Sequence, residues 1–71
     1  MVCFTDRHGQ KWFIAPREIT GILENKGTKD MPAHVVIYFK GGPSDGVALE
    51  VGVDRDKVID GIDRAILNMF D

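Results

Sequence analysis

An internal disulfide is excluded at the outset, because 71 residues contain a single cysteine, Cys3. No apolar run approaches the roughly 20 residues that a membrane-spanning helix needs, and the N-terminus lacks the basic, apolar and small-residue succession of a secretory signal. Both absences point to a reducing, cytoplasmic setting. Positive charge is not in excess either. Nine Lys and Arg stand against eleven Asp and Glu, for a net charge of -2 and a pI near 5.5, so there is no general attraction to phosphate backbones or anionic lipid.

Paired metal-ligand spacings such as C-x-x-C or H-x-x-x-H are missing as well. The residues left to build a metal site are Cys3, Asp6, His8 and His34, and both histidines fall at a turn or strand start, where exposed imidazoles are ordinary. For nucleophilic chemistry the only serine is Ser44, in a glycine-rich loop with no histidine tied to it. Cys3, within a strand, reads as a small buried hydrophobe. The acids are scattered along turns and one helix surface. The expectation is a protein without catalytic residues, metal or cofactor.

What remains is an ordinary globular composition, 44% hydrophobic and 28% charged, with no linker, repeat or low-complexity segment, which reads as one folded, soluble domain over residues 1–71. A chain this short buries only about 60% of its unfolded surface, so without a disulfide or zinc staple oligomerisation is one way left to add core.

Glycine and proline punctuate the chain. "VCFT" at 2–5 and "KWFIA" at 11–15 form a hairpin around "DRHGQ", whose Asp6 and Gly9 suit a turn. Pro16 interrupts the strand, and "ITGILENK" at 19–26 resumes it. "GTKDMPA" connects to "HVVIYFK" at 34–40, the strongest strand signal. "GGPSDG" at 41–46 reads as a mobile turn rather than a tight two-residue hairpin, and it lacks the lysine and following helix of a phosphate loop. "VALEVGV" alternates, with Val47, Leu49, Val51 and Val53 on one face.

From Asp54 the period lengthens. Val58, Ile62, Ala65, Ile66 and Met69 make a helical stripe, with Asp54 as N-cap, Asp60 and Arg64 as an i,i+4 pair, and Gly61 as a costly interior residue. The predicted architecture is α+β: an antiparallel meander of four to five strands followed by one C-terminal amphipathic helix packed on one face.

In 34–40 both strand faces are apolar, Val35, Ile37 and Phe39 on one and Val36 and Tyr38 on the other. The helix covers the first. Val36 and Tyr38, with Trp12 or Phe13 and with Ile22 and Cys3, then occupy a second face, to be closed by a protein partner or, most simply, by a second copy. Trp12, Val36 and Tyr38 are the expected partner-binding anchors.

The opening "MVCFTDRHGQKWFIAPREI" resembles that of the small flagellar FlbD (SwrD) family: Met1, Val2, Phe4 and Thr5, then Gly9, the Trp12-to-Ile14 strand, Pro16 and Ile19. Val36 and Ile37, a glycine turn, Val51 and Val53, and a helix opening with Val58 and Ile62 extend the likeness over most of the chain. Longer connectors, an acidic helix and His8 depart from it. The resemblance implies a cytoplasmic, non-enzymatic accessory of the flagellar motor that acts through protein contacts, with no catalytic residues to carry over.

The function read from these residues is a small protein-binding regulatory module that self-associates. The second reading is a nucleic-acid-binding regulator using Arg7, Lys11, Arg17, Lys26, Lys29 and Lys40 of the first half, with their interleaved aromatics. A third is a small virus-encoded protein that binds a host protein.

Overall fold

The Asp6 turn organises the first hairpin. Strand β1 (Val2–Thr5) runs antiparallel to β2 (Lys11–Ile14), with Val2 opposite Ile14 and Phe4 opposite Trp12. The Asp6 amide donates to the Gln10 carbonyl at 2.8 Å, and the Gly9 amide to the Asp6 carbonyl at 3.0 Å. The intervening loop is thus a type of short hairpin connection in which aspartate opens the turn and glycine closes it.

The computed structural model describes residues 1–68, so Met69, expected in the helical stripe, lies outside the described residues. After β2, a single 3₁₀ turn (Pro16–Glu18) carries a buried Pro16, as the missing proline donor and fixed φ favour. Strands β3 (Ile19–Asn25), β4 (His34–Phe39) and β5 (Val47–Ala48) follow, and then helix α1 (Arg55–Asn68).

The fold is α+β and all strand pairing is antiparallel. The five strands are not one meander. β1 and β2 make one sheet and β3-β4-β5 another, because the 3₁₀ turn separates β2 from β3 and no ladder forms between them. The sheets are stitched elsewhere: Asp6 bridges to Leu49, the Arg7 amide donates to the Ala48 carbonyl at 3.1 Å, and the Glu50 amide to the Thr5 carbonyl at 3.3 Å.

The alternating segment 47–53 is also shorter as a strand than its pattern implies. β5 ends at Ala48, Leu49 is buried, and the chain then turns, with Gly52 at φ +91° and the Val53 amide pointing to the Glu50 carbonyl at 3.4 Å. Only glycine enters that left-handed region freely, so the alternation breaks there. Val51 is left 63% exposed, whereas Val53 still packs on the core.

Phe4, Ile14, Val35, Ile37, Val47, Leu49, Val58 and Ile62 form the core, drawn from both sheets and the helix. Helix α1 packs against β1 and the 3₁₀ turn. Asp54 caps it as expected, its Oδ1 accepting the Asp56 amide at 2.8 Å, and Asp60 pairs with Arg64 at 3.1 Å. Arg55 reaches back to Glu24 of β3 at 3.6 Å. Gly61 has no neighbour within 4 Å of where a Cβ would stand, so its place in the helix is not dictated by close packing.

Candidate functional site

Strand alternation decides which side chains leave the core. In β4, Val35 and Ile37 face the core cluster, and Val36 and Tyr38 face the opposite way. Yet Val36 is only 7% exposed. It sits at the centre of its sheet, between Leu23 on β3 and Ala48 on β5, and Gly46 of the glycine-rich loop closes on it. A Cβ on Gly46 would lie 2.7 Å from Val36 Cγ1 and 3.0 Å from Tyr38 Cε1, so the loop approaches as closely as a glycine permits. That loop is built from hydrogen-bonded turns, Gly42 amide to Phe39 carbonyl at 3.1 Å and Gly46 amide to Pro43 carbonyl at 3.0 Å.

Much of the second face is therefore covered from within the chain. Tyr38 is half-buried beside Gly21, and Leu23, 47% exposed, is the open apolar residue of that face. Ile22 points the other way and packs against the core, contrary to its expected place on the second face.

Trp12 does not join Val36 and Tyr38. It lies on the inner side of the hairpin, its ring edge-to-face with Phe39 at a centroid distance of 5.8 Å. The expected single anchor of Trp12, Val36 and Tyr38 is thus divided between two surfaces, with Val36 closed off. The reason is phase: Phe4 and Trp12 are opposite each other and inward, which turns their neighbours outward.

Those neighbours are Cys3 and Phe13, paired across β1 and β2. Phe13 is 65% exposed, Met1 at the strand's start is 87% exposed, and Cys3 is exposed, not the buried hydrophobe expected. Thr5 and Lys11 continue the same outer face. An aromatic ring left in water on a two-stranded ribbon is the most conspicuous unexplained apolar surface among the described residues. Sequence alone could not choose between Trp12 and Phe13, since both fit a strand.

Asp6 is the one buried charged residue among those described, and its carboxylate is fully engaged. Oδ1 accepts the amides of His8 and Gln10 at 2.9 Å each, and Oδ2 accepts Trp12 Nε1 at 2.9 Å. The indole N–H foremost, with the two amides and the nearby His8, holds the Asp6 carboxyl below its usual range against the opposing cost of burial. This is the chemistry of a turn clamp, with both oxygens already occupied by donors.

His8 and His34 meet on an open cleft of about 310 Å³ together with Asp30 and Met31, while Cys3 is not among its lining residues. His34 Nδ1 lies 3.0 Å from the Pro32 carbonyl. Among the described residues no three His, Cys, Asp or Glu side chains converge as metal ligands, and no helix is long and apolar enough to cross a membrane.

The basic residues of the first half are dispersed. Arg17 and Lys40 flank the end of the larger sheet where Ile19 meets Phe39; Lys26 and Lys29 follow its other end, where Asn25 meets His34. Six strand residues, about 20 Å, separate the two pairs.

Comparison with protein-family models, curated proteins and solved structures returns no match, so the chain's own residues carry the functional argument.

Proposed function

We propose that this chain is a small non-enzymatic protein-binding module whose contact surface is the outer face of the β1–β2 hairpin. The observation that carries this reading is Phe13, 65% exposed, opposite the exposed Cys3, with Met1, 87% exposed, just before β1. A ring of this kind anchors an interface when a partner supplies an apolar pocket, and Lys11 at the rim favours a partner with carboxylates beside that pocket. The dispersal of the basic residues supports a protein partner over nucleic acid.

The resemblance to the small flagellar FlbD (SwrD) family supports a place for this contact at the flagellar motor. A photo-reactive residue at Phe13 tests the module: it crosslinks one partner in saturable fashion, and the same residue at the helix position Lys57 does not. Equal, non-saturating crosslinking from both positions overturns the reading. In a motile host, wild-type chain restores motility to a deletion strain and Phe13→Asp does not; rescue by both removes the flagellar assignment.

A further inference from the structure

We propose that the chain forms a symmetric dimer by antiparallel pairing of β3 with β3 of a second copy, Ile22 opposite Ile22. This surface is separate from the hairpin face, so the two proposals stand or fall independently.

β4 lies between β3 and β5, which leaves β3 with a strand neighbour on one side only. The direction of its free backbone groups follows from the ladder. The Leu49 amide donates to the Val35 carbonyl at 2.8 Å, so Val35 turns its backbone toward β5 and the next residue, Val36, turns toward β3, opposite Leu23. Alternation then sends the N–H and C=O of Ile22 and Glu24 outward. Among the described residues no backbone hydrogen bond from another segment reaches them.

Of the usual guards of an open edge, β3 carries only a β-bulge near its start, between Ile19 and Gly21. It runs seven residues with no proline and no lysine, and its one charge, Glu24, is drawn toward Arg55 at 3.6 Å.

The sequence of β3 is complementary to itself in this register. Ile22 against its counterpart closes a reciprocal pair of backbone hydrogen bonds. Glu24 falls opposite the start of the partner strand, where the bulge at Thr20 carries no charge, so no like charges face each other. Leu23, 47% exposed, falls opposite Gly21 of the second copy. The site at Gly21 has no side chain, and a Cβ placed there would lie 3.9 Å from Tyr38 Cδ2. Leu23 thus arrives beside the exposed edge of the Tyr38 ring, and the open part of the second face is closed by its own symmetry mate. A foreign strand would have to supply each of these matches; a second copy supplies them all by symmetry.

The test combines mass, amide exchange and crosslinking. Light scattering on the full chain gives a dimer mass that falls to monomer on dilution, and the Ile22 and Glu24 amides gain exchange protection as the dimer forms. Leu23→Lys raises the concentration for half-dimerisation by at least about tenfold with unchanged circular dichroism. Directly opposed residues in a hydrogen-bonded pair have Cα atoms about 5.5 Å apart, within disulfide reach. In a Cys3→Ser background, Ile22→Cys therefore gives a covalent dimer under mild oxidation, and Phe13→Cys does not. A monomer at millimolar concentration overturns the proposal, as does a dimer whose Ile22 and Glu24 amides exchange unprotected. Crosslinking through Phe13→Cys alone assigns the contact to the hairpin and overturns it too.

Discussion

Trp12 Nε1 donates a 2.9 Å hydrogen bond to Asp6 Oδ2 across the mouth of the first hairpin. The bond joins the largest aromatic side chain to the carboxylate that also receives the His8 and Gln10 amides. It explains why Trp12 faces inward and Phe13 outward: the residue with a donor to satisfy takes the side on which the acceptor lies. The same choice of phase exposes Cys3 and leaves Phe13 as the hairpin's contact residue.

Acid titrates the Asp6 clamp. Its folded-state pKa is depressed, so the stability it contributes is present above the ordinary carboxylate range, about pH 4, and is lost as pH falls through the lower native value. The urea midpoint of the wild type falls as the pH is lowered from 5 through this range, and that of Asp6→Asn falls less. Parallel curves for the two proteins would remove Asp6 from the acid response.

Gly46 is required by its neighbours. Its φ is +76° and a Cβ would stand 2.7 Å from Val36 Cγ1, so Gly46→Ala combines a strained backbone with a clash. The expected loss is about 1–3 kcal/mol, read as a lower urea midpoint. An unchanged midpoint would show that the loop does not hold this position over Val36 in solution.

Two aliphatic residues calibrate the core. Ile37 is fully buried, and Ile37→Ala costs about 2–5 kcal/mol, enough to unfold much of a chain this small. Val51 is 63% exposed despite its place in an alternating pattern, and Val51→Ala changes stability by less than about 0.5 kcal/mol. Chemical denaturation of both variants checks the pair; a large loss at Val51 would place it in the core.

Gly61 offers a gain. It is exposed within α1 with open space at its Cβ, so Gly61→Ala stabilises by about 0.5–1 kcal/mol through the helix propensity alone. The check is a raised thermal midpoint with an unchanged folded spectrum.

Local signals in the sequence account for much of the fold. The first hairpin, the break at Pro16, the strand at 34–39, the Asp54 cap and the Asp60–Arg64 pair are all set by neighbours within a few residues: turn chemistry, a missing donor, alternation, a capping carboxylate. The site was less legible. Trp12 and Phe13 are equally at home in a strand, and nothing beside them says which meets Asp6. Val36 reads as a surface residue until the glycine loop is folded onto it. Val51 continues an alternation that Gly52 ends, and the alternation is the louder signal in one dimension.

By itself the sequence determined the kind of object this is: an antiparallel α+β chain with a C-terminal amphipathic helix, because periodicity and turn residues act over distances of a few residues. Tertiary structure alone decided the division into two sheets, the inward turn of Trp12, the closing of Val36 and the open edge of β3. The two sheets meet through Asp6 with Leu49 and Trp12 with Phe39, contacts between segments far apart in the chain, and Val36 is closed only when Gly46 folds back over its strand. A strand's two faces are equivalent until something packs on one of them, and the identity of that something is not written in the strand.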